Sequence, residues 1–233
     1  MERDLRPPSG GPVEALIGEE IQVCSDKGKE PEKNLIREEE LFESVAKRES
    51  PATVRFWVNS ECLVRGRIRS AKYGWYNEKL AREMGIKIVE RSTGGGVVYH
   101  DEGNLNWSIF RRNSESFLSP TTLFAQASSH MVRALGRLGV SASFSPPNRI
   151  DVSDSKVSGM AARSTSLAVL VHGTLLINSD LARLNSLCIP PAGCPPVANV
   201  SQWAKGIDAH SVVEAFVGVL EDSGCRVRIV DPR

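Results

Sequence analysis

The chain has 233 residues, 41% of them hydrophobic, with 29 lysines and arginines against 28 aspartates and glutamates. That length is enough for one large domain with a buried core, and the balanced charge gives no reason to expect a nucleic-acid-binding surface. No run is long and apolar enough to cross a bilayer. The opening residues, with Glu2, Asp4 and the Pro7-Pro8 pair, lack the apolar core of a secretion signal, so the sequence reads as a cytoplasmic protein without membrane contact. Five cysteines, Cys24, Cys62, Cys188, Cys194 and Cys225, are scattered, odd in number and without a CxxC pair. This argues against a zinc framework and against a secreted disulfide scaffold. Cys188 and Cys194 lie close together among prolines, and either two inert thiols or a local disulfide fits them.

In chain order, residues 1–11 are rich in Pro, Gly and charge and read as an arm, followed by a first strand within 13–23. The polar stretch 25–33 reads as a loop. Apolar positions at 35, 41, 42 and 45 then have helical spacing, with Asn34 as N-cap. Residues 54–58 and 62–66 read as short strands joined by an Asn59-Ser60-Glu61 turn. A short helix at 77–84 stops at Gly85. Strands follow at 86–89, 97–100 and 105–110. Ser119-Pro120 opens a helix whose stripe is Leu123, Phe124, Ala127, Met131, Leu135 and Leu138, ending at Gly139. Strands at 167–171 and 174–177 flank His172-Gly173. A short helix spans 180–187, a proline-rich loop 189–196 and a last amphipathic helix 208–220. The irregular alternation implies an α+β fold with a largely antiparallel or mixed sheet. The chain divides into residues 1–24, an arm and first strand, and a domain over 25–233.

Three stretches carry chemistry. The first is Arg91-Ser92-Thr93-Gly94-Gly95-Gly96-Val97-Val98-Tyr99-His100-Asp101-Glu102-Gly103-Asn104. Three successive glycines are costly in chain entropy. They make sense where backbone approaches a ligand and its N–H groups face an anion, with Arg91 beside them suited to a phosphate or carboxylate. A bare glycine triplet would read as a hairpin turn; Arg91 before it and His100, Asp101 and Asn104 after it favour a site. The second is Arg149-Ile150-Asp151-Val152-Ser153-Asp154-Ser155-Lys156-Val157-Ser158-Gly159. Lys156 is followed by small residues, so its ammonium can serve a phosphate oxygen or an acyl carboxylate as a point charge. The third is Val171-His172-Gly173-Thr174-Leu175-Leu176-Ile177, a polar spot amid strand residues; on its own, His172 would be a core histidine.

Taken in order, R-S-T-G-G-G-V-V-Y-H-D-E-G-N, S-K-V-S-G and H-G-T-L-L resemble the motifs of the lipoate–protein ligase A family. The resemblance runs over about 34–187 and includes the N-L-x-x-E-E run at Asn34 and the F-W-x-N run ending at Asn59. It implies the biotin/lipoate protein ligase fold, a mixed sheet flanked by helices. It also implies an ATP-dependent enzyme that makes a lipoyl-adenylate and transfers the acyl group to a lysine of a lipoyl carrier domain, in a 2-oxoacid dehydrogenase or the glycine cleavage H protein. By position, Arg91, Gly94, Gly95, Gly96, Val97, Val98, Tyr99, Asp151 and Lys156 are expected at ATP and the adenylate. Lys156, Trp57, His100, His172 and Gly173 are expected at lipoate, with Val97 and Val98 as further wall of the acyl tunnel. Lys156 is the catalytic candidate, and Mg²⁺ is expected to accompany ATP. Ile150, Val171 and Glu90 depart from the family pattern of a polar residue, a histidine and a basic residue. No accessory domain is read after the catalytic one, so a separate accessory subunit is expected to support adenylation. Rival readings are an ATP-independent lipoyl or octanoyl transferase, a biotin–protein ligase and a non-catalytic binder of lipoyl-adenylate. The transferases of this kind use a cysteine, and residues 143–154 contain none.

Overall fold

A computed structural model describes residues 20–67, 75–113 and 118–231. The expected arm at 1–11, and the part of the first strand before residue 20, lie outside the described residues. Strand β1 (Glu20–Ser25) leads to helix α1 (Pro31–Ala46), β2 (Ala52–Trp57) and β3 (Cys62–Gly66). Helix α2 (Glu78–Glu83), β4 (Lys87–Arg91), β5 (Val97–His100) and β6 (Asn104–Arg112) follow. Helix α3 (Pro120–Arg137) then precedes a run of four strands, β7 (Ala142–Ser145), β8 (Arg149–Val152), β9 (Ser155–Ser164) and β10 (Ala168–Leu176). Helices α4 (Leu181–Leu187) and α5 (Ala209–Asp222) and strand β11 (Arg226–Val230) complete the chain. Among the described residues no helix is long and apolar enough to cross a membrane.

The strands form two sheets, an eight-stranded one in the order β11-β1-β2-β6-β10-β9-β8-β7 and a small one in the order β4-β3-β5. In the large sheet β1 runs parallel to both neighbours and the other pairs are antiparallel. In the small sheet β3 is parallel to β4 and antiparallel to β5. This is the mixed-sheet α+β class that the sequence implies.

Strand alternation gives the large sheet two unlike faces. Phe56, Trp107 and Gly173 stand side by side across β2, β6 and β10, as do Val54, Ile109 and Val171. This apolar face packs on Leu123, Ala127, Met131 and Leu135 of α3 and on Val212, Phe216, Val219 and Leu220 of α5. The opposite face alternates with it: Arg55, Ser108 and His172 form one row, and Trp57, Asn106 and Thr174 the next. Helix α1 covers one end of that polar face through Leu41, Phe42 and Val45, against Phe110 and Leu170.

Several local expectations are corrected. Helix α1 starts at Pro31, with Glu30 as an N-cap that makes no side-chain bond; a proline at the first helical position needs no N–H. Asn34 is therefore inside the helix and buried, not its cap. Residues 59–61 do not close a hairpin, because β2 and β3 belong to different sheets. His172 and Gly173 do not interrupt a strand: β10 runs unbroken through them. The cap Ser119 and the positive φ of Gly85 and Gly139 are where the sequence places them, whereas Asn77 and Asp180, read as the first residues of their helices, are the caps of α2 and α4.

Between α3 and α5, His130 is buried beside Phe216, ring centroids 6.0 Å apart, with no partner for either nitrogen among the described residues. Burial, helped by Arg133, pushes it down to about 4. A depressed histidine stabilises the fold above its unfolded value near 6.5 and loses that contribution as pH falls through 4. Unfolding free energy should therefore decline between pH 6.5 and 4, by up to about 1.4 kcal/mol per pH unit from this group. Denaturant titrations of His130→Leu should show a shallower decline; an unchanged slope would locate the acid sensitivity elsewhere.

Candidate active site

The glycine turn lies where β3, β4 and β5 meet. Arg91, the last residue of β4, is 7% exposed. Its guanidinium is occupied by the turn itself. Nε donates to Thr93 Oγ1 at 3.0 Å and Nη1 to the Val64 carbonyl at 3.1 Å. Nη2 donates to the carbonyls of Gly94 at 2.8 Å and Gly96 at 2.9 Å. In a trans peptide the carbonyl and the next N–H point in opposite directions. With the Gly94 carbonyl turned in to Arg91, the Gly95 N–H points away from it. Gly95 has φ +92°, a left-handed conformation that glycine adopts without strain. A Cβ on Gly94 would meet nothing within 4 Å. The turn thus presents backbone N–H outward over a buried cation, a suitable cradle for an anion. Desolvation draws the Arg91 guanidinium down to about 10, against the pull of Glu38.

Two further glycines shape this turn. Gly66 has no room for a Cβ, which would collide with the carbonyl oxygens of Gly94 and Gly95; its N–H donates to the Gly96 carbonyl at 3.0 Å. A Cβ on Gly96 would collide with the indole of Trp75. That tryptophan is held by a short antiparallel pairing with the end of α4: the Ile189 N–H donates to its carbonyl, and Asn77 N–H to that of Leu187, each at 2.8 Å.

Behind the turn runs a buried polar chain. Thr93 Oγ1 meets His172 Nε2 at 2.7 Å, and His172 Nδ1 faces both oxygens of Glu38 at 3.0 Å. Ser108 donates to Glu38 Oε1 at 2.5 Å. Burial alone would raise the Glu38 carboxyl, yet His172 and Ser108 together hold it below the ordinary range. A carboxylate on His172 Nδ1 fixes the ring's orientation, as it does for metal-ligating and catalytic histidines.

Lys156 lies on β9 opposite Asp151 of β8, next to a bulge in the ladder. Its backbone pairs with the loop after α4, N–H to the Pro196 carbonyl at 2.8 Å and carbonyl from Ala198 N–H at 3.0 Å. The side chain lies over Gly159, where a Cβ would stand 2.9 Å from both Cε and Nζ. Among the described residues the ammonium makes no hydrogen bond or ion pair, and burial lowers its affinity for the proton. Cys194 is the strongest electrostatic influence opposing that shift. Asp151 is paired with Arg149 at 2.9 Å. No group of three His, Cys, Asp or Glu side chains stands together as a metal site among the described residues.

The remaining expected residues divide by face. Trp57 is buried on the polar face, with the Arg55 guanidinium stacked 4.3 Å from its ring. His100 is buried and accepts from Asn59 on one side. Val98 packs with Cys62, Val64, Val89 and Leu35. Three of the expected residues have other neighbours in the fold. Gly173 faces the apolar layer, where a Cβ would be 2.7 Å from the Trp107 ring; its small size serves core packing. Tyr99 and Val97 turn away from His100 into a cluster with Leu63, Leu184 and Leu187, and the Tyr99 hydroxyl donates to Glu61 at 2.8 Å. Sequence reasoning did not single out Thr93, Glu38, Ser108, Gly66 or Trp75 as site residues. Two of them left a signal, Glu38 in the N-L-x-x-E-E run and Thr93 in the R-S-T-G-G-G run. Cys188 and Cys194 carry free thiols.

Residues 30–221 match the family model of the lipoyl protein ligase A/B catalytic domain. An Aeropyrum pernix protein named as a lipoate-protein ligase A is 35% identical over 170 residues, 72% of this chain and 62% of its own. The curated relatives are longer, and the matched stretch spans between 44% and 62% of their lengths. Among solved structures, the bi-partite lipoate protein ligase of Thermoplasma acidophilum, described with its E2 lipoyl domain, superposes with a TM-score of 0.77 at 21% identity, covering 93% of this chain and 88% of that one. A lipoate-protein ligase A bound with ATP gives 0.76 at 23% identity, covering 91% and 88%.

Gly159→Ala tests the bed under Lys156. The new methyl displaces a flexible side-chain end, not backbone, so the unfolding free energy should stay within about 1 kcal/mol. Losing one well-placed charged contact should weaken ATP binding about tenfold in calorimetry. Unchanged binding would remove Lys156 from the anion site.

Proposed function

The chain belongs to the lipoyl protein ligase A/B catalytic-domain family, and from that membership we propose that it activates a lipoate-type acid with ATP and passes the acyl group to a lysine of a lipoyl carrier domain. The observation that carries this reading is the Lys156 ammonium, desolvated, without a partner and bedded on Gly159. A carboxylate is a poor acyl donor. Its oxygen attacks the α-phosphorus of ATP, the bond to pyrophosphate breaks, and an acyl-adenylate forms. Charge that shifts onto the α-phosphate oxygens is met by Lys156 and by the outward N–H groups of the glycine turn, with Arg91 behind them. In the second step a carrier-lysine amine attacks the acyl carbon and AMP leaves, and Lys156 can then stabilise the carbonyl oxygen. Burial of the site shields the adenylate from hydrolysis. Asp151 is held by Arg149 and no carboxylate cluster is present among the described residues, so the Mg²⁺ expected with ATP would be held mainly by its phosphates. Trp57 and His100 are proposed to meet the acyl tail, a reading supported by their buried, unpartnered N–H groups among the described residues.

The Thermoplasma acidophilum neighbour is described as bi-partite and was studied with its E2 lipoyl domain. By analogy with that description, the acceptor proposed here is the lipoyl domain of a 2-oxoacid dehydrogenase, with an H protein as a further candidate, and a separate accessory subunit is the proposed helper. Use of ATP suits a cytoplasmic location.

A second reading has its own observation. Cys194 and Cys188 both lie within electrostatic reach of Lys156, so an ATP-independent transfer through a cysteine thioester is the alternative. Burial pushes the Cys188 thiol up to about 11, which disfavours its thiolate at neutral pH.

Mass spectrometry of a lipoyl carrier domain, incubated with the purified chain, lipoate and Mg²⁺ with and without ATP, tests both. An ATP-dependent lipoyl shift that Lys156→Ala reduces at least about 100-fold is expected. Modification from an acylated carrier without ATP, abolished by a cysteine substitution, would establish the transferase instead. A shift seen only when an accessory subunit is added would assign that subunit to activation.

A further inference from the structure

The tautomer of His100 is set from the protein surface, through four side chains that the mechanism above does not use. Asp26, its side chain 12% exposed, accepts from Arg55 Nε at 2.6 Å. Arg55 is fully buried. It donates Nη1 to the Asn34 carbonyl at 2.8 Å and Nη2 to Asn34 Oδ1 at 2.7 Å. A guanidinium has donors only, so the Asn34 atom that faces it is oxygen. The Asn34 nitrogen is fixed independently, because it donates to the Gly28 carbonyl, an acceptor only, at 2.8 Å. The same nitrogen donates to Asn59 Oδ1 at 2.8 Å. That leaves the Asn59 nitrogen facing His100 Nδ1 at 2.9 Å. An amide N–H there requires a bare Nδ1. Burial, with Arg91 and His172 adding, pushes the ring down to about 3. It is neutral, and its one proton sits on Nε2.

That Nε2 is buried and has no partner among the described residues. The indole N–H of Trp57 is in the same state. A buried donor without an acceptor is costly, and these two, one on β2 of the large sheet and one on β5 of the small sheet, call for a ligand. Trp57 on β2 is three strands from Lys156 on β9, about 14 Å at ordinary strand spacing. An extended eight-carbon acid with a hydrogen bond at each end spans that distance. We propose that Asp26, Arg55, Asn34 and Asn59 act as positioning residues that lock His100 as an Nε2–H donor, and that this donor makes the site prefer an acyl tail ending in a sulfur acceptor, a cyclic disulfide, over a plain alkyl tail. The ligand half rests on the reading in the preceding subsection; the tautomer half does not.

The test uses the full chain labelled with ¹⁵N in its four histidines. Spectra that correlate ring nitrogens with carbon-bound protons report which nitrogen carries hydrogen. Without ligand, His100 should appear as the neutral Nε2–H form. Asn59→Asp replaces the donor by an acceptor and should draw the proton to Nδ1. Lipoate binding, by calorimetry, should then weaken about tenfold while octanoate binding changes less than about twofold. Asn59→Ser keeps a hydroxyl donor and should retain both the tautomer and the preference, which covers the case in which the aspartate variant does not fold. A wild-type ring protonated at Nδ1, or charged at neutral pH, overturns the lock. Equal losses for the two acids overturn the selectivity. Binding of neither acid by the wild type overturns the ligand half together with the proposed function, and leaves the tautomer to be judged by the spectra alone.

Discussion

A buried guanidinium cannot be left without acceptors, and the shape of the glycine turn follows from how Arg91 finds them. Its acceptors are a hydroxyl and three backbone carbonyls, two of them supplied by the turn. Drawing the two turn carbonyls inward goes with the left-handed backbone of Gly95, φ +92°, which a side chain would strain. Gly66 must also stay bare so that β3 can pass close behind. Once the carbonyls point in, the amides between them must point out. The cation therefore shapes an anion cradle without touching the anion, and its charge acts through a layer of oriented peptide groups. An arginine beside three glycines was expected to meet a phosphate directly; the structure gives it the prior task of building the surface that would.

The same logic extends across the large sheet. One face is in effect a hydrocarbon layer, filled by α3 and α5. The other carries Arg55, Ser108 and His172 in one row and Trp57, Asn106 and Thr174 in the next, where water is excluded. Each polar group there needs a neighbour, so side chains far apart in sequence become joined. Glu38 and His172 are 134 positions apart and lie at 3.0 Å. Such networks are strong when complete and expensive when broken. The groups left incomplete, Trp57 Nε1, His100 Nε2 and the Lys156 ammonium, are among those the sequence motifs had singled out.

Much of the frame was legible from local signals. Ser119-Pro120, Asp180 and Gly139 act within one turn of chain, so their roles can be read from neighbours in sequence. The glycine triplet and Lys156 stood out because their surroundings are unusual for a strand end. Asn34 misled because a polar residue before an apolar stripe usually caps a helix, whereas its real partners are Arg55 and Asn59, 21 and 25 residues away. Gly173 looked like a ligand contact for the same reason that Gly96 did. Each lies against an indole, Trp107 and Trp75 respectively, and those rings come from other elements, so no local pattern shows them. Tyr99 and His100 are adjacent and point to opposite sides, so a motif that includes both cannot assign both to one pocket. The meander of β7, β8 and β9 was missed because its strands are short or polar and mix with turn residues.

Strand β1 sits between β2 and β11, parallel to both. Its partner on one side comes about 30 residues later; on the other side the register joins Glu20 to Arg226 and Cys24 to Val230. A chain made from its N-terminus therefore exposes one edge of β1 until nearly the whole domain has emerged. An open strand edge is a template for pairing with other chains, and closing so long a loop is slow. Vectorial synthesis thus leaves this domain with an unprotected seam until β11 arrives, so its yield in a cell depends on how quickly that strand docks once made.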